Sequence, residues 1–82
     1  MLLAIDVGNS HTVLGVYMDG QLVRMWRVTT NPLDTADELR VKLIPLLESE
    51  GLSFANVTRA CLASVVPQLT EAWNRAVIDA SA

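Results

Sequence analysis

The sequence predicts an α/β domain with the element order β-β-β-α-β-α. Three observations carry that prediction. Two runs of strand-forming residues meet at Asp19-Gly20, a two-residue hairpin signal. A helical spacing of leucines begins just after Thr35. A further strand of the buried type, Arg59 to Val66, is stopped by Pro67 and followed by another helical pattern.

In chain order, Leu2 to Ile5 is a continuous apolar run, the mark of a strand covered on both faces. Val7-Gly8-Asn9-Ser10 supplies turn chemistry, because Gly and Asn tolerate the backbone angles of a tight reversal. Thr12 to Met18 is rich in β-branched and aromatic residues, and Gln21 to Thr29 returns as its partner. Strict alternation places Leu22, Arg24, Trp26 and Val28 on one face and Val23, Met25 and Arg27 on the other. With apolar groups on both sides, neither face of this strand is expected to be freely solvated. These three strands are antiparallel; the strand at Arg59 to Val66, reached through a helical crossover, joins them in parallel.

Asn31-Pro32 breaks the sheet. Thr35-Ala36-Asp37-Glu38 fits a capping box, and Asp34, Asp37 and Glu38 crowd the helix start, where the macrodipole favours acids. Leu39, Leu43 and Leu46/Leu47 form the apolar stripe, Pro45 predicts a kink or an early stop, and Gly51 is an end signal. Leu69, Trp73, Ala76/Val77 and Ala80 mark the second helix, starting near Pro67 or Thr70. Its apolar pattern still runs at Ala80, which with the two-sided strands reads as part of a larger domain. Both helices are expected to pack on the sheet.

The 82 residues are 51% hydrophobic and 18% charged, too apolar for a disordered segment. A chain of this size buries only about 60% of its unfolded surface. Six Lys+Arg against nine Asp+Glu give a net charge of −3, and the basic residues are scattered. No clustered basic footprint exists for nucleic acid or an anionic membrane. No apolar run approaches the ~20 residues of a membrane helix, and Met1 to Asp6 lacks the basic start of a signal peptide. The expectation is a cytoplasmic protein. Cys61 is alone, so no disulfide framework forms, and its apolar neighbours predict a small buried hydrophobe. Asn56-Val57-Thr58 matches a glycosylation triplet by chance.

Chemistry concentrates in Asp6-Val7-Gly8-Asn9-Ser10-His11-Thr12. An aspartate at the C-terminal end of a buried strand lies where ligands gather in α/β folds. The Gly8-Asn9 turn can expose successive backbone N–H groups to an anion, and Ser10 and Thr12 add hydroxyl donors. An acid beside a phosphate cradle calls for a cation: Asp6 would hold Mg²⁺, directly or through water. The same residues also suit an ordinary hairpin in which Asp6 satisfies its own turn backbone. His11 has no second histidine to share a metal and reads as a surface residue. Trp26 and Trp73 could stack on a base, but Trp73 falls on the apolar stripe of its helix. Helix-start electrostatics accounts for Asp34, Asp37 and Glu38 without catalysis.

Asp6-Val7-Gly8-Asn9-Ser10-His11-Thr12 resembles the first phosphate motif of the type III pantothenate kinases, members of the superfamily of acetate and sugar kinases, heat-shock chaperone ATPases and actin. Two further features strengthen the resemblance. Trp26-Arg27-Val28-Thr29-Thr30 leads into Thr35-Ala36-Asp37-Glu38-Leu39, and Ala63-Ser64-Val65-Val66-Pro67 ends the fourth strand.

The resemblance implies a ribonuclease H-like, actin-like ATPase half-domain, with residues 1–82 forming the N-terminal portion of the first of two domains. It implies transfer of the γ-phosphoryl of ATP to pantothenate, the first step toward coenzyme A, by a cytoplasmic homodimer using Mg²⁺ and K⁺ or NH₄⁺. Asp6, Val7, Gly8, Asn9, Ser10, His11, Thr12 and Val13 would map onto the ATP phosphate segment, with Asp6 nearest the metal. The general base, pantothenate contacts and monovalent-cation ligand would lie beyond Ala82, leaving the 82 residues inert alone. Other readings are a non-catalytic relative acting as a transcription accessory factor, another ATPase of the superfamily, and a stand-alone interaction domain.

Overall fold

The computed structural model describes residues 1–81. Strands β1 (Leu2–Val7), β2 (His11–Met18) and β3 (Gln21–Thr29) precede helix α1 (Ala36–Ser49). A 3₁₀ turn at Phe54–Asn56, strand β4 (Arg59–Ser64) and helix α2 (Pro67–Ser81) follow. The sheet order is β3-β2-β1-β4, antiparallel except for β1 beside β4. The predicted α/β class and element order are therefore those of the structure, with three antiparallel strands, one parallel strand and two helices.

The local signals act through the predicted chemistry. Asp19 and Gly20 both take positive φ, 52° and 78°, which suits the right-handed twist of a tight hairpin. Thr35 caps α1: its Oγ1 accepts from the Glu38 N–H at 3.2 Å, while the Glu38 carboxylate accepts from the Thr35 N–H at 3.0 Å. At the other end Gly51 sits at φ 70°, and its N–H meets the Glu48 carbonyl. The Leu52 N–H reaches back to the Leu47 carbonyl, closing the paired bonds of a Schellman stop. Pro45 does not end α1 early. It removes only the N–H that would meet the Val41 carbonyl, on a solvent-facing side of the helix.

Both helices cover one face of the sheet. Leu3, Ile5 and Val7 of β1, Leu14 and Val16 of β2 and Trp26 of β3 bury against Leu39, Leu43 and Leu47 of α1 and Leu69, Trp73 and Ala76 of α2. Each fully buried leucine contributes about 1.5–3 kcal/mol relative to exposure.

The other face departs from the sequence expectation. The β2–β3 register shifts between Val16 and Tyr17, so Val16 faces Arg24, Tyr17 faces Leu22, and Val23 has no opposite residue. This bulge moves Leu22 to the face of Gly15 and Tyr17, away from Trp26, where strict alternation had placed it. Leu22, Val23 and Met25 are 49%, 47% and 56% exposed, so β3 is not covered on both sides. In β1, only Leu3, Ile5 and Val7 are fully buried. The strand β4 also proves mostly exposed, because it is an edge strand with one neighbour. Cys61 is accordingly exposed rather than buried: it pairs with Ala4, on the face that neither helix covers.

Two further expectations change. Trp26 is buried in the core with the Arg24 guanidinium 5.8 Å from its ring, so it is not free to stack on a base. Asp34 is a buried carboxylate paired with Lys42, and its role extends beyond helix-start electrostatics.

Candidate functional site

Three segments converge at the sheet edge formed by the C-terminal ends of the parallel strands β1 and β4. The turn between β1 and β2 is the first. The end of β3 is the second, since His11 pairs with Thr29 and the Thr30 N–H donates to the Ser10 carbonyl at 2.9 Å. The entry to α2 is the third: the Val65 N–H donates to the Val7 carbonyl at 3.0 Å. Ser64 Oγ accepts from the Val66 N–H at 3.1 Å and donates to the Val66 carbonyl at 3.0 Å, tightening the step into α2. Such an edge is the usual ligand position in α/β sheets.

Alternation along β1 sorts the predicted residues. Val7 points into the core and is fully buried, whereas Asp6 is exposed on the opposite face, in one row with Val13 and Ala63. Asp6 also lines a shallow apolar groove of about 400 Å³ with Ala4, Val13, Tyr17, Met25 and Cys61. Asn9, Ser10 and His11 are exposed. His11 is thus the surface residue that the sequence predicts.

The turn is held from inside. The Gly8 N–H donates to the His11 carbonyl at 3.0 Å, and a Cβ at Gly8 would sit 3.0 Å from that same oxygen. Glycine suits this close approach of backbone, since a side chain there would force the His11 carbonyl to give way by a few tenths of an ångström. Among the described residues, the N–H groups of Asn9 and Ser10, in the exposed turn that follows Asp6, make no hydrogen bond. That combination fits a metal-bound phosphate: amides for anionic oxygens, a carboxylate for the cation.

One predicted donor is excluded. Thr12 is 2% exposed, and its hydroxyl is engaged with the Thr30 hydroxyl at 2.8 Å. Among Asp6 to Val13, therefore, Val7 and Thr12 can present only backbone groups. Thr30 itself is a contributor that reasoning from sequence did not assign. Its signal was the threonine pair Thr29-Thr30 at the strand end, immediately before Asn31-Pro32.

Among the described residues no group of three or more His, Cys, Asp or Glu side chains could hold a metal ion. Asp6 is a single carboxylate, suited to a cation that arrives already bound to phosphate oxygens. No helix of the described residues is long and apolar enough to cross a membrane.

The sequence signature of type III pantothenate kinase matches residues 2–82, nearly the whole chain. The chain belongs to the type III pantothenate kinase family. It is 53% identical over 70 residues to the type III pantothenate kinase of Pelobacter propionicus, covering 85% of this chain and 28% of that protein. It is 48% identical over 75 residues to the enzyme of that name from Desulfotalea psychrophila, covering 92% and 28%. Type III pantothenate kinase 1 of Symbiobacterium thermophilum is 44% identical over 77 residues, 94% of this chain and 29% of that protein. The chain thus spans less than a third of the length of these relatives. The family resemblance drawn from Asp6 to Thr12, Trp26 to Leu39 and Ala63 to Pro67 is correct.

Proposed function

We propose that the intact protein phosphorylates pantothenate to 4′-phosphopantothenate at the expense of ATP, the opening step of coenzyme A synthesis. The observation that carries this reading is the β1–β2 turn. An exposed Asp6 leads into a turn whose Asn9 and Ser10 amides make no hydrogen bond among the described residues, in a chain whose relatives bear the name pantothenate kinase.

In this reading the turn from Asp6 to Val13 receives the ATP phosphates. The Asn9 and Ser10 amides and the Ser10 hydroxyl donate to phosphate oxygens, and Asp6 holds Mg²⁺ directly or through water. The bound cation neutralises charge on the transferring phosphoryl group. Gly8 lets the backbone approach closely, and Val7 anchors the turn to the core. Val13 supplies an apolar wall beside Asp6, and His11 rims the turn without a proton-transfer role. A monovalent cation, K⁺ or NH₄⁺, completes the cofactor set, and the protein works as a cytoplasmic homodimer.

Residues 1–82 are, on this proposal, the first part of an actin-like two-domain enzyme. Phosphoryl transfer requires several elements positioned at once, so these residues alone should be inert. Two measurements test the reading. The intact protein should form phosphopantothenate from ATP and pantothenate; absence of that product contradicts the assignment. Calorimetric titration of residues 1–82 with Mg·ATP should give no micromolar binding, and a micromolar Kd would overturn the claim that the isolated chain is inert.

A further inference from the structure

We propose that Thr30 is a positioning residue for the phosphate turn, acting through Thr12 and Ser10. This rests on the reading of Asp6 to Val13 as the phosphate segment. Thr30 makes two contacts to that segment from the far end of the hairpin: its hydroxyl to the Thr12 hydroxyl at 2.8 Å, and its N–H to the Ser10 carbonyl at 2.9 Å. Both side chains are buried, Thr12 at 2% and Thr30 at 9% exposure, so neither hydroxyl has water as a ready substitute.

The two contacts constrain different things. The bond to the Ser10 carbonyl fixes the orientation of the Ser10–His11 peptide. The Thr12–Thr30 pair fixes the start of β2, where the His11 carbonyl accepts from the Gly8 N–H at 3.0 Å. Gly8 and Ser10 flank Asn9, so both ends of the donor-bearing stretch are pinned, one of them by Thr30 directly. Beyond Thr30 the chain turns at once. The Leu33 N–H donates to Asn31 Oδ1 and the Asp34 N–H to the Asn31 carbonyl, each at 3.0 Å. The turn is therefore referenced to the α1 side of the molecule through a short, hydrogen-bonded connection. An anion site built from backbone amides depends on such preorganisation, because its donors must stay aimed when no ligand is bound.

The test compares wild type, Thr30→Ser and Thr30→Val in the intact protein. Valine keeps the shape and removes the hydroxyl; serine restores it. Hydrogen exchange is followed for a peptide spanning the turn and for a control peptide from the middle of α1. Thr30→Val should speed exchange of the turn by about tenfold, the scale of one neutral hydrogen bond, with the α1 peptide unchanged. It should raise KM for ATP by a similar factor while KM for pantothenate stays within about twofold. Thr30→Ser should lie close to wild type in both. Unchanged turn exchange in Thr30→Val, equal acceleration in turn and α1, or failure of serine to restore would each overturn the proposal. If the wild-type protein does not phosphorylate pantothenate, the functional reading falls, and the exchange comparison still decides Thr30 on its own.

Discussion

Lys42, the single lysine of the chain, reaches back two turns of α1 to the buried carboxylate of Asp34. The Asp34 side chain is 4% exposed and the lysine side chain 34% exposed, so one end of the pair is dry and the other meets solvent. Removing the lysine leaves a buried charge without its partner. Lys42→Met should therefore destabilise the fold by roughly 2–3 kcal/mol, less than a fully buried pair because the ammonium keeps some water. Arg40→Met, which breaks the exposed pair with Asp37 at 3.2 Å, should cost under about 0.5 kcal/mol. Urea denaturation of the two variants checks the ranking.

The capping box gives a pH signature. The Thr35 backbone N–H, followed by its side chain, holds the Glu38 carboxyl below the usual glutamate value. A lowered folded pKa means that the contribution is fully present above the ordinary glutamate range and is lost as pH falls through the folded value. Glu38→Gln can still accept from Thr35 but cannot titrate. The Tm advantage of wild type over Glu38→Gln should therefore shrink between neutral and acidic pH. A gap that is constant or widens would contradict the assigned cause.

Gly8 and Gly20 separate two reasons for glycine. A Cβ at Gly8 would press on the His11 carbonyl, whereas Gly20 has open space and a φ of 78°. Each alanine variant should cost about 1 kcal/mol, one by collision and the other by backbone strain. Only Gly8→Ala should raise KM for ATP in the intact protein. Equal KM values for the two variants would remove the turn's geometry from nucleotide binding.

Trp73 is 1% exposed, yet its indole Nε1 has no hydrogen-bond partner among the described residues. Its role here is volume, and its N–H is a cost. Trp73→Phe removes the unpaired donor along with part of the ring, so the two effects oppose each other. It should cost under about 1.5 kcal/mol, against about 3–5 for Trp73→Ala. Thermal melts showing equal losses would mean that the indole nitrogen does have a partner.

The parts of this fold that could be read from sequence are those fixed by neighbours along the chain. Asp19-Gly20, the Thr35–Glu38 box and the Gly51 stop each act over a few consecutive residues, and each takes the predicted geometry. What escaped depends on partners distant in sequence. The bulge opposite Tyr17 is a property of the pairing between β2 and β3, not of either strand's composition. Cys61 looked like a core residue because its neighbours are apolar, but β4 lies at the edge and Cys61 on the uncovered face. At the site, Asp6, Gly8, Asn9 and Ser10 were legible as turn chemistry. The diversion of the Thr12 hydroxyl to Thr30 was not, because alternation shows that Thr12 points inward but not what it meets there.

The most direct test of the account is the turnover of Asp6→Asn in the intact protein, with ATP and pantothenate saturating and the fold monitored by circular dichroism. Asp6 is exposed, and its side chain makes no hydrogen bond among the described residues while its backbone keeps its place in the sheet, so the melt should be nearly unchanged. The kcat should fall by at least about a hundredfold, the loss of a charge that acts on the metal-bound phosphate. Near-normal kcat with an intact fold would remove Asp6, and with it the phosphate turn, from the chemistry.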